Sequence, residues 1–160
     1  MVDQLINIIS REAVVFESFL ESLEQQKQML VTNDADGLNR VTQFQRERIA
    51  ESQQLARQRE ELVRRIKEEK NIDGNLNVTR LISLVDKAQA DQLARLSAFI
   101  FSLNEKITES RNQNVMLLNR SREYISRMMR MLSKVHQPDT YDRATSRPQQ
   151  APTVAMDRRV

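Results

Sequence analysis

The chain has 160 residues, 29% of them charged and 39% hydrophobic, with a formal net charge of +3. That balance fits one water-soluble domain. There is no cysteine and a single histidine, His136, which excludes disulfides and thiolate chemistry and leaves no Cys/His cluster to hold a metal. Glycine occurs only at Gly37 and Gly74 and proline only at Pro138, Pro148 and Pro152. Chain reversals favour these residues, so so few of them predict a small number of long helices. Asp3 makes the N-terminal stretch acidic, and the apolar run at residues 13–16 is too short for a signal or membrane segment. A cytoplasmic protein with no stable membrane insertion is expected.

Stepping by four and three from Val2 meets Ile6, Ile9, Ala13, Phe16, Leu20, Leu23, Lys27 and Leu30, a nearly unbroken helical seam. Leu5, Ile8, Val15 and Phe19 widen it in the first half, so that end should meet more than one neighbour. The segment TNDADGL interrupts the pattern, with Asn33 or Asp34 as the N-cap of a second helix and Gly37 inside its first turn.

From residue 36 to residue 70 the apolar positions thin to Leu38, Val41, Phe44, Ile49, Leu55, Leu62 and Ile66. Opposite charges lie three or four residues apart, such as Glu60 with Arg64 and Glu61 with Arg65, which describes a mostly solvated helix. It ends at NIDGN, where Gly74 suits a left-handed terminus or turn. Asn75 or Asn77 then caps a short helix near residues 76–85.

A long helix follows over about residues 87–135. Its seam reads Leu93, Leu96, Ile100, Leu103, Ile107, Ser110, Asn114, Leu117, Ser121, Tyr124, Met128, Met131 and Val135. Polar residues interrupt it only between 110 and 121. Beyond 114 the apolar face broadens, because Val115, Leu118, Ile125, Met129 and Leu132 form a second stripe. Four of the seven methionines lie here, and methionine is an adaptable side chain favoured on surfaces that accept several partners. A further core helix would carry the same pattern. Asn114 and Ser121 on the seam would set register at some expense of permanent closure.

Short turns make the first and second helices antiparallel and bring the long helix down beside the first. Leu5, Ile8 and Phe19 are then expected to bury against Leu81, Leu84, Phe99 and Ile100. The first helix is about 45 Å long and the last about 70 Å at roughly 1.5 Å per residue, so the last should outrun its cover beyond about residue 118. The fold class is all-α: an antiparallel long-helix bundle or coiled-coil hairpin with a short extra helix. Residues 1–136 form the helical domain. Residues 137–160, beginning before Pro138, are polar and proline-punctuated and are expected to be a disordered tail.

No phosphate-cradling glycine loop or nucleophile elbow is present, and the Glu68–Glu69 pair lies on a solvated helix, so no catalytic residue, metal or cofactor is assigned. The charge from residue 111 onward is +6. With two tyrosines and no tryptophan, and with Glu123, Asp139, Asp142 and Asp157 breaking the positive field, it does not describe a nucleic-acid surface.

An amphipathic first helix with Glu12 near its start, the turn TNDADGL, a charged second helix, the segment NQNVMLL with an apolar helix after it, and Tyr141 and Asp142 past its end occur here in one order. In these features residues 3–142 resemble the FlgN family of flagellar export chaperones. The resemblance implies a cytosolic helical protein that binds the helical C-terminal segments of hook-associated, filament-junction proteins, prevents their premature assembly and delivers them to the flagellar type III export apparatus. Carried onto this sequence, the partner-binding face is Leu117, Leu118, Tyr124, Ile125, Met128, Met131 and Leu132, and Tyr141 contacts the export gate. The alternative is a homo-oligomeric coiled-coil scaffold without an export substrate, in which the same face pairs with itself in a homodimer.

Overall fold

A left-handed asparagine followed by a capping aspartate makes the first chain reversal. Asn33 takes φ 55, and the Asp34 N–H donates back to the Met29 carbonyl at 3.0 Å. The Asp34 carboxylate then accepts from the Gly37 N–H at 2.8 Å, satisfying one of the orphan donors of the next helix. The computed structural model describes residues 1–135, and helices hold 89% of them. These are α1 (Val2–Thr32), α2 (Ala35–Glu69), α3 (Val78–Ile82) and α4 (Lys87–Val135). Contacts divide the chain into a unit Met1–Ile125 and a second beginning at Ser126, and the packing described next belongs to the first. His136 and the expected tail at 137–160, with Pro138 and Tyr141, lie outside the described residues.

Side-chain pairs fix the helix directions. Arg59 Nε donates to Glu12 at 3.1 Å and Gln26 Nε2 to Gln45 at 3.4 Å, which requires α1 and α2 to be antiparallel. Gln89 Nε2 donates to Asp3 at 2.7 Å, and Ser110 Oγ to Glu24 at 3.2 Å, so α4 runs parallel to α1. Glu12 is a buried carboxylate. Its Arg59 partner offsets the cost of removing the charge from water and ties α1 to α2.

The core lies at the end where α1 begins. Leu5 and Ile6 meet Ile66 of α2, Leu76, Leu81 of α3 and Leu93 of α4. Ile8 and Val15 face α2 at Leu55 instead. The wide apolar stripe of α1 thus serves two neighbours. Leu5, Leu55 and Leu93 are each 1% exposed, and truncating such a leucine to alanine typically costs about 2–5 kcal/mol.

Several local expectations change in detail. Leu84 and Phe99 are exposed rather than in the core. α3 stops at Ile82 and the chain turns before Asp86 caps α4 by accepting from the Gln89 N–H at 2.9 Å, which leaves Leu84 on the turn. Phe99 falls beside the Leu93, Leu96, Ile100 seam, not on it. The short helix is therefore separate from α4, and its cap is Asn77, accepting from the Arg80 N–H at 2.8 Å.

α2 ends at Glu69, and the left-handed position just past it is Asn71. The Asn71 N–H donates to the Glu68 carbonyl and the Ile72 N–H to the Lys67 carbonyl, a left-handed cap with asparagine where glycine is usual. Gly74, at φ 82, takes the following turn.

On the outer face of α2, Arg64 reaches Glu61 and Glu68 rather than Glu60, and Arg65 also reaches Glu61. Hydrogen bonds from Arg64 and then Arg65 hold the Glu61 carboxyl below its ordinary range. Its small contribution is present above the unfolded carboxyl's titration and fades as pH falls through the folded one. The ring of Phe44 is exposed but lies under the Arg48 guanidinium, 5.1 Å from its centroid.

A polar layer closes the packed part near the α1–α2 reversal. Asn114 Nδ2 donates to the Leu23 carbonyl and to Gln26 Oε1, both at 2.9 Å, and Lys27 Nζ donates to Gln113 at 3.2 Å. The layer is incomplete: Asn114 Oδ1 and Gln45 Nε2 are buried without a partner, a state that costs about 1–3 kcal/mol per group.

Two predictions follow from this packing. A Cβ on Gly37 would collide with the Asp34 carboxylate and the Met29 thioether. Gly37→Ala, worth up to about 1 kcal/mol of stabilisation in an open helix, is therefore expected to lower the urea midpoint, and a raised midpoint would contradict the close packing. Asn114→Leu removes an orphan acceptor and adds apolar burial on the seam, so it is expected to stabilise the fold by about 1 kcal/mol. A fall in the same midpoint would show that its two hydrogen bonds outweigh the orphan.

Candidate functional site

The apolar seam of α4 changes character along its length. Leu93, Leu103, Ser110 and Asn114 are buried, and Leu96, Ile100 and Ile107 are half-buried against the other helices. Three α1–α4 pairs share one offset of 86 residues, so Thr32, the last residue of α1, falls level with Leu118. Past that point α1 supplies nothing to pack against.

Exposure follows. Leu117 and Ser121 are half-buried, but Leu118 is 46% exposed, Tyr124 65% and Ile125 57%. In the second unit, the described part of α4 begins at Ser126, and Met128, Met131 and Leu132 are 43%, 64% and 54% exposed. Every residue of the expected partner-binding face is thus on α4 and, Leu117 apart, exposed. Val115 and Met116 in the first unit and Met129 in the second are exposed too. Soluble proteins rarely leave so many large apolar side chains together in water unless something binds them. The contact expected of Tyr141 lies outside the described residues.

Arginines border this surface. Arg111, Arg120, Arg122 and Arg130 are exposed and keep an apolar helix soluble, while their aliphatic stems add to its greasy area. The arrangement can bury apolar surface against a helix or groove and can meet acidic groups at the rim. It offers no nucleophile held by a base.

Among the described residues no group of three His, Cys, Asp or Glu side chains is placed to hold a metal, and no helix is long and apolar enough to cross a membrane. Sequence reasoning passed over one exposed aromatic, Phe101, 66% exposed, because it falls off the seam. It also missed the lining that Phe19, Leu30 and Leu38 give to a groove ending at Leu118. Their contribution depends on how the α1–α2 reversal seats against α4, and no periodicity encodes that.

A family model described as FlgN protein matches residues 1–149. No curated protein and no solved structure matches the chain. The matched span takes in all four helices, including the buried Glu12 and the exposed end of α4. By that match the chain belongs to the FlgN family, the flagellar export chaperones.

Proposed function

We propose that this chaperone acts in the cytoplasm and captures the helical C-terminal segments of flagellar hook-associated proteins on the apolar face of α4. It thereby blocks their premature assembly and hands them to the flagellar export apparatus. The observation that carries this reading is the exposure of large apolar side chains along α4, Leu118, Tyr124 and Ile125 in the first unit and Met128, Met131 and Leu132 in the second. An amphipathic guest helix laid along such side chains reads them through anchors spaced three and four residues apart. Methionine-rich surfaces accept more than one guest sequence because the unbranched side chain repacks cheaply. Tyr141, carried over from the family resemblance, is the residue that would touch the export gate.

Titration calorimetry of the full chain with the C-terminal segments of hook-associated proteins tests the capture step. A complex in the micromolar range is expected, and none at all with any such segment would refute it. Leu118→Asp combined with Met128→Asp removes two anchors. At about 1.5–3 kcal/mol each, that weakens binding by a factor of about 100 or more, with circular dichroism nearly unchanged. A large loss of helicity would show that these residues belong to a core.

Delivery separates from capture at Tyr141. Tyr141→Ala is expected to leave guest affinity within about twofold and to reduce secretion of the guest in a motility or export assay; weakened guest binding would place Tyr141 on the capture surface instead. Light scattering on the guest-free chain tests the competing self-pairing, which a tight dimer shielding residues 115–132 from proteolysis would favour.

A further inference from the structure

Where the α1–α2 reversal meets α4, a groove of about 390 Å³ opens. Phe19, Leu30, Leu38 and Leu118 give it apolar walls, and Gln45 and Asn114 also line it. Both amides are more than nine-tenths buried, Asn114 at 5% exposure and Gln45 at 8%. Each keeps one polar atom with no hydrogen-bond partner, Oδ1 of Asn114 and Nε2 of Gln45.

These two atoms are the ends of a directed chain of carboxamides. Asn114 Nδ2 donates to Gln26 Oε1 at 2.9 Å, and Gln26 Nε2 donates to Gln45 Oε1 at 3.4 Å. Gln45 Nε2 is left with nothing to donate to, and Asn114 Oδ1 with nothing to accept from. One more carboxamide, accepting from Gln45 and donating to Asn114, would close the ring head to tail. A guest in helical form has spent its backbone N–H and C=O groups on itself. Asparagine and glutamine present a donor N–H and an acceptor oxygen on one carboxamide carbon, the pairing that continues the chain of amides already there. The aliphatic stem of such a residue suits the apolar walls.

We propose that this groove is a subsite of the guest-binding surface that takes a carboxamide side chain, glutamine or asparagine, from an amphipathic helical guest segment. The inference rests on the guest-binding reading of α4, with which the groove is continuous through Leu118. Both orphan atoms are shielded in the guest-free chain, but Arg111 and Leu118 at the groove are exposed side chains that change rotamer quickly. Because the free chain already bears the desolvation of both atoms, the guest's two hydrogen bonds form without that expense, which makes the site pre-organised.

The test uses the full chain and the C-terminal segment of a hook-associated protein, with each guest glutamine changed to methionine and each asparagine to leucine in turn. One of these substitutions is expected to weaken binding about tenfold by losing two hydrogen bonds to buried partners. The same loss should appear in the chaperone pair Gln45→Met with Asn114→Leu, and in that variant the guest substitution should have no further effect. Because the guest series leaves the chaperone untouched, it stands even if the double variant folds poorly. Normal binding that is indifferent to every guest amide overturns this inference alone. Failure of the unaltered chain to bind any such segment overturns the capture reading and this one with it.

Discussion

Everything distinctive about this chain depends on a mismatch between two parallel helices. α1 and α4 are locked in register by side-chain pairs that share an offset of 86 residues. α1 stops at Thr32, and α4 continues to Val135. The stop is enforced locally, by a left-handed asparagine and an aspartate cap that send α2 back the other way. α4 has no such signal at the matching level, and its apolar content does not fall there. The physical result is a helix whose first half is held by a core and whose later part offers large apolar side chains to water.

The polar layer at Asn114 marks the boundary between those regimes. Leucine there would be a better glue. An amide that donates to the Leu23 carbonyl and to Gln26 ties α4 to one register on α1, since a slip of one helical turn would strand a buried donor. The layer also accepts an expense, because Gln45 and Asn114 each keep an orphan atom. Proteins keep such costs where specificity or function outweighs them. Its place beside the groove at Leu118 puts that expense next to the surface a guest would use.

Much of this was legible in the residues. The four-and-three spacing from Val2 to Leu30 predicts the buried and half-buried side of α1, and the same rule on α4 identifies Leu93, Leu103 and Asn114 as inward. The direction of the helices follows from short turns, and the uncovered end of α4 follows from counting lengths. Tertiary seating was not legible. Leu84 looks as apolar as Leu81, and only the break between α3 and α4 puts it on the turn rather than in the core. The NIDGN stretch marks the end of α2 but leaves Gly74 open between terminus and turn; Asn71 takes the left-handed cap through backbone hydrogen bonds, and Gly74 takes the turn after it. The carboxamide chain joins residues from three helices, and no local pattern announces it.

Hydrogen exchange along α4 of the guest-free chain tests the central claim most directly. An isolated helical stretch of fewer than about 15 residues is marginal in water, so a part of α4 without tertiary cover should open readily while the covered part opens only with the core. Amides of residues 93–114 are expected to be protected by orders of magnitude more than those of residues 119–133. Equal, strong protection across both stretches in a monomer would mean that the last turns of α4 are covered after all, and the account would fail.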